Sequence, residues 1–192
     1  MQLLPIHLDT FSQASFMGFL TLTTYIITLL PTNLLTVFPD AKKTRIPQKL
    51  IKYRRLIGLL SFFLACIHGF IFFKQRNFDV FDPKTYVVYF QGGATFIIFT
   101  LLAITSNDWS VKRLKKNWKK LQQLTYLAMF LVTWHIWDKM AGHWTYLTPI
   151  AIIAMISIIV LFFCRLWIKH KSKQEKSQPE TEKFRVLNKT LG

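Results

Sequence analysis

Acidic residues are scarce: nine Asp and Glu stand against 25 Lys and Arg in 192 residues, for a formal net charge of +16. All nine acids fall in loops, at ends or in the tail, so no carboxylate pair is available within an apolar run for acid–base work. An ion-coupled transporter would be expected to place acids inside its spans, and no repeat of broken helices is evident either. Cysteine is scarcer still. Cys66 and Cys164 each lie within an apolar run, which leaves no disulfide framework and no zinc-type spacing; they read as small hydrophobic thiols. Glycine-rich phosphate loops are missing as well: no G-x-G-x-x-G, no P-loop, and no soluble stretch of the ~100 residues that would house one. Any nicotinamide or flavin chemistry has to come from a partner. Met1 to Thr10 lacks the basic start and small-residue cleavage site of a signal peptide and reads as a retained end.

What the chain does have is apolar length. Hydrophobic residues make up 52%, with a mean hydropathy of +0.28, in blocks of about 18–25 residues that match a ~30 Å hydrocarbon layer. The expectation is an all-α membrane protein, a bundle of about five transmembrane helices, as a domain over 1–168 with a basic, mobile cytoplasmic tail over 169–192. The spans are expected near Phe11–Leu35, Leu56–Phe73, Tyr86–Thr105, Leu121–Trp137 and Tyr146–Trp167. Pro47 marks a turn, IPQKLIKYRR reads as a short surface helix, and Gly92-Gly93 offers a close-packing point between helices. DKMAGHW and KQRNFDVFDPK read as loops, and Pro149 falls in the first turn of the fifth span.

Charge gives the orientation. The 42–55 loop, the 112–120 loop and the stretch from Arg165 onward hold seven, six and eight Lys and Arg residues, 21 of the 25. Lys74, Arg76, Lys84 and Lys139 lie on the other side. The positive-inside rule then puts the N-terminus outside and the C-terminus in the cytoplasm. Because charge alternates with spans, orientation and anionic-lipid contact account for it, and a nucleic-acid binder is excluded.

Two histidines stand inside the spans. His68 lies 14 residues after Arg54 and His135 13 residues after Gln122, which places both imidazoles roughly 20 Å from the basic side. On parallel helices they meet at one depth in the outer half of the bilayer. A lone histidine there more often hydrogen-bonds a neighbouring helix; two at matched depth can hold a haem iron from both faces. Phe62, Phe63, Phe70, Phe130 and Trp134 suit the faces of a porphyrin, but such a stripe is more often ordinary lipid-facing or core packing. Lys74, Arg76 and Lys139 are candidates for its carboxylates, though solvated loop charges are the commoner case. His7, His143 and His170 read as surface residues, His143 being a possible neighbour of the outer site.

An ordered set of motifs carries a resemblance. Arg54, Arg55, Gly58, Leu59 and His68, then Leu102–Ser106 (LAITS), the basic KRLKKNWKKL of Lys112–Leu121, Tyr126 and His135 resemble the ferric-reductase-like transmembrane domain superfamily, closest to its MsrQ/YedZ group. The resemblance covers residues 50–140. It implies a b-type haem protein that passes single electrons from a separate donor, a quinol or a flavoprotein, toward an acceptor at the outer face, a protein or ferric iron. The superfamily often holds two stacked haems on four histidines. Here Arg54 stands at one inner histidine position, as in the MsrQ group, and Gln122 at the other; Lys115 replaces the usual glycine before the tryptophan motif. One haem b, held by His68 and His135, is therefore expected in the outer half, with quinone or flavin from a partner. The implied setting is an integral protein of a bacterial cytoplasmic (inner) or thylakoid membrane. The alternative is a redox-inactive membrane scaffold or assembly factor derived from that fold.

Overall fold

A computed structural model describes residues 13–75, 83–140 and 147–190. Seven α-helices follow in order: α1 Gln13–Val37, α2 Arg45–Gln75, α3 Pro83–Ile104, α4 Asp108–Leu114, α5 Lys116–Gln122, α6 Leu124–Met140 and α7 Leu147–Thr190. There is no strand among the described residues. Five helices pack as a closed ring, α2–α1–α7–α6–α3 and back to α2. The helices α2 and α6, which carry the two histidines, are not packed neighbours in it.

The ring wears its apolar residues outward. Phe63, Phe70 and Phe73 on α2, Ile97 and Ile104 on α3, and Ile153 and Phe163 on α7 are all more than half exposed. The core is small, built around Leu22, Tyr25, Leu29, Phe99, Met129, Met155 and Ile158. In water such a surface would drive association; in lipid it is the contact surface. Three helices, α1, α2 and α7, are long and apolar enough to cross a membrane, and a fourth candidate is α3 taken with α4 across a 93° bend. At 17 residues, α6 reaches about 26 Å, just short of the ~30 Å hydrocarbon core.

Several boundaries differ from those expected. IPQKLIKYRR is no separate surface helix but the first turns of α2, which runs unbroken from Arg45 to Gln75. The chain reverses earlier, in a 3-10 turn over Pro39–Lys43. Pro47 then sits in the first turn of α2, where its missing N–H has no helical partner to lose. The helix expected from Leu121 begins at Leu124, with Gln122 on α5 and Gln123 between the two. It also continues to Met140, so Asp138 is a helical residue rather than part of a loop. Pro149 does lie in the first turn of α7. The KQRNFDVFDPK loop around Asp79 and Asp82, with Arg76, lies largely outside the described residues, as do His7 and His143.

A tight corner joins α3 to α5. Asn107 caps α4, its side chain accepting from the Ser110 N–H at 2.7 Å, which satisfies one of the unpaired N–H groups at a helix start. Lys115 then separates α4 from α5 at φ 47°, ψ −117°. It is the one non-glycine residue of positive φ among those described, and it occupies the position where the resemblance places glycine.

Candidate functional site

His68 is held by α1. Its Nδ1 lies 2.8 Å from the carbonyl oxygen of Ala14. A carbonyl only accepts, so Nδ1 carries the proton and the lone pair of the neutral ring falls on Nε2. This is the second-sphere arrangement that orients metal-binding imidazoles. The ring also lies against Gly18, one turn along α1: a Cβ there would come within 3.0 Å of Cε1 and 3.2 Å of Nδ1. His135 has the same relation to α3, where a Cβ at Gly92 would fall 3.3 Å from its Cε1. Gly92 is thus a close-packing point, as expected, while a Cβ at Gly93 would meet nothing within 4 Å.

The helix contacts also give the two rings a common depth. α1 and α2 are antiparallel, with Ala14 opposite His68 and Ser61 donating to the Thr21 carbonyl at 3.1 Å. α3 and α6 are antiparallel, with Gly92 opposite His135 and Gln91 Nε2 donating to Asp138 at 2.6 Å. Phe62 of α2 and Phe96 of α3 stack with centroids 5.9 Å apart, joining the two pairs. His68 lies six residues beyond Phe62, about 9 Å. Gly92, opposite His135, lies four residues outward of Phe96, about 6 Å. The rings therefore sit within one helical turn of each other in depth, on parallel helices separated in the ring.

Other expected features divide. Phe63, Phe70 and Trp134 are at least half exposed; Phe130 packs on Phe162 and Phe163 of α7, and Phe62 stacks on Phe96. Lys74 and His170 are exposed. No three His, Cys, Asp or Glu side chains gather as a metal-chelating set among the described residues. Sequence reasoning missed Gln91, fully buried beside Gly92 and bonded to Asp138. Its signal was a lone amide in the apolar run YVVYFQGGATF.

The motif residues converge elsewhere, at the opposite, basic end. Arg55 donates to the Ser106 carbonyl and pairs with Asp108 at 2.6 Å; Arg55 in turn holds the Asp108 carboxyl below the usual carboxylate range. Trp118 Nε1 donates to the Thr105 carbonyl at 3.0 Å and Gln122 reaches the Thr105 hydroxyl at 3.5 Å. Arg54 reaches the Thr32 hydroxyl at 3.4 Å. Arg165 donates to Asn33 at 3.1 Å and to the Tyr126 hydroxyl. Of these, Thr32, Arg54, Arg55, Ser106, Trp118, Gln122, Tyr126 and Arg165 line a cavity of about 550 Å³ that reaches Ser61, Phe62, Phe99 and Tyr25. Five cations line it, Lys52, Arg54, Arg55, Lys119 and Arg165, and no carboxylate does.

Comparison with known proteins agrees with the motifs. The family model described as ferric reductase like transmembrane component matches residues 16–133. A protein of Herminiimonas arsenicoxydans named protein-methionine-sulfoxide reductase heme-binding subunit MsrQ is 35% identical over 119 residues, 58% of this chain and 54% of that one. A protein of the same name from Xanthomonas axonopodis pv. citri is 29% identical over 140 residues, 68% of this chain and 61% of that one. Another from Xanthomonas campestris pv. campestris is 34% identical over 93 residues, 46% of this chain and 43% of that one. The chain spans about half the length of the curated relatives it matches. It is an integral membrane protein similar to the MsrQ group, and it belongs to the ferric reductase-like transmembrane component family.

Proposed function

We propose that this chain is a membrane electron-transfer subunit holding one b-type haem, with His68 and His135 as its axial ligands. The observation that carries the reading is the Nδ1–H···O=C bond from His68 to Ala14, together with the matched depth of His135. The first directs Nε2 as the donor atom; the second gives two imidazoles facing one layer from helices that are not packed neighbours. The residues fit the group. The helices α1 and α3 orient the rings through close contact at Gly18 and Gly92, and the outward apolar surface excludes water from that depth.

In this reading five helices span the membrane, with the N-terminus outside and the basic end in the cytoplasm. The α5–α6 stretch supplies the length that α6 alone lacks, since Gln123 keeps near-helical angles of φ −71° and ψ −17°. Bound haem would supply a one-electron iron couple in the outer half of the bilayer. The chain's part is to hold the ligands, set the depth and keep the surroundings apolar. Arg54 and Gln122 provide no iron ligand at the inner level, so electrons reach the outer site from a separate donor that enters the membrane interior, a quinol or a flavoprotein-linked carrier. The relatives are named as subunits of a methionine sulfoxide reductase; a protein acceptor on the outer side follows by analogy, with ferric iron as the simpler alternative.

The test is the reduced-minus-oxidised spectrum of detergent-purified protein, with a pyridine haemochrome count. The expected result is a low-spin b-type spectrum at about one haem per chain, lost in both His68→Ala and His135→Ala. Protein expressed with haem available and purified without any would overturn the proposal and leave a scaffold role.

A further inference from the structure

Gln91 and Asp138 form a polar pair beside His135 that the holding of a ligand does not itself require. Gln91 is fully buried on α3, and its Nε2 donates to Asp138 Oδ2 at 2.6 Å. Its Oε1 is buried too, with no hydrogen-bond donor among the described residues. A buried acceptor left unmet is destabilising, and such departures from local rules concentrate at functional sites. Asp138 is half-buried, and no cation pairs with it among the described residues. The contacts that place the imidazole also place this pair. Gln91 precedes Gly92, whose missing side chain makes room for the His135 ring. Asp138 lies three residues after His135 on α6, on the same face and about 4.5 Å further along the axis. Gln91 therefore holds a carboxylate close to one turn outward of the imidazole, on the side of α6 that α3 covers.

We propose, on the reading that His68 and His135 hold a haem, that Asp138 is the charge that sets the redox potential of that site, and that Gln91 is the residue that positions it. A fixed negative charge near an axial imidazole stabilises ferric over ferrous iron, and so lowers the potential. In apolar surroundings the effect is far stronger than between solvated charges, because the effective dielectric constant is low. Tied to Gln91, the carboxylate is kept from turning out into the headgroup layer, where water and salt would screen it. The consequence is a site of low potential. Reduced iron there yields its electron more readily to an outer acceptor, and the donor has to be a correspondingly strong reductant.

The experiment is a spectroelectrochemical titration of the full chain purified in neutral detergent with haem bound. Haem per chain and the low-spin spectrum are recorded on the same samples. Asp138→Asn removes the charge and keeps an oxygen to accept from Gln91 Nε2, so the α3–α6 contact is retained. It should raise the potential: at one applied potential near the wild-type midpoint, the ferrous-to-ferric ratio should increase about five- to tenfold, at unchanged haem content. Asp138→Glu should return a potential near that of wild type. Gln91→Leu keeps the charge but releases it, and should give a smaller rise than Asp138→Asn. Asp40→Asn, which removes an exposed carboxylate at the basic end, should leave the potential unchanged. Should Asp138→Asn fail to fold, Asp138→Ser removes the same charge and carries the same expectation. Full haem content with a potential unmoved by loss of the Asp138 charge, or moved equally by Asp40→Asn, would overturn the role of Asp138 and leave the haem reading standing. Wild-type protein without haem would overturn both.

Discussion

Adding one methyl group at Gly18 probes the support of His68 directly. The new Cβ would meet Cε1 at 3.0 Å and Nδ1 at 3.2 Å, whereas carbon atoms pack best at about 3.5–4.0 Å. The ring would have to retreat by roughly 0.5 Å or more, and it is not free to do so. Ala14 and Gly18 lie one turn apart on the same face of α1, so withdrawal from Gly18 stretches the 2.8 Å bond to Ala14. Removing a glycine from a helix gains up to about 1 kcal/mol, while overpacking costs about 1–3 kcal/mol. Gly18→Ala should therefore lose up to about 2 kcal/mol net. Gly92→Ala, with its nearest contact at 3.3 Å, should be near neutral. Gly69→Ala and Gly93→Ala meet nothing within 4 Å and should be slightly stabilising. The assay is the thermal midpoint of the four variants in detergent, with haem per chain measured on the same samples. Both readouts should fall furthest for Gly18→Ala. If Gly18→Ala matches Gly69→Ala in both, His68 is not held as described.

Three further variants test two other joints. At φ 47°, Lys115 stores strain of about 1–3 kcal/mol, part of which glycine releases against its own entropic cost; Lys115→Gly should raise the thermal midpoint, and Lys115→Ala should not. Gln91→Leu removes the 2.6 Å bond to Asp138 and leaves a half-buried carboxylate without that donor, at about 1–3 kcal/mol; a midpoint no lower than wild type would count against the α3–α6 register.

The positions of the apolar helices were legible because length and hydropathy are local properties. Their ends were not. Arg45–Arg55 is basic and looks like a surface segment, yet it continues α2, since helical backbone bonds persist into the headgroup layer whatever the side-chain charge. The break at Gln123 carries no proline or glycine and keeps near-helical angles, so nothing local in the sequence marks it. His68 and His135 stood out because a titratable side chain in an apolar run is rare. Gly18 and Gly92 as their backing did not, since each contact joins residues more than 40 positions apart. The cavity was missed for a related reason. Arg54, Arg55, the LAITS segment, Trp118 and Tyr126 read as a family signature strung along the chain, and only the fold shows that they enclose one volume.

Arg165 joins the ring in a way that bears on how the protein is made. Each histidine belongs to a separate antiparallel pair, α1 with α2 and α3 with α6. Helix α7 packs on both pairs, and Arg165 fastens them by reaching Asn33 of α1 and Tyr126 of α6. Helices emerge from the ribosome in order, so both pairs are complete before their fastener exists. Before α7 is added, the two hairpins meet through α2 and α3, and the position between α1 and α6 that α7 fills is still open. If His68 and His135 hold a haem as proposed, that stage is the natural window for it to enter, before the last helix closes the ring behind it.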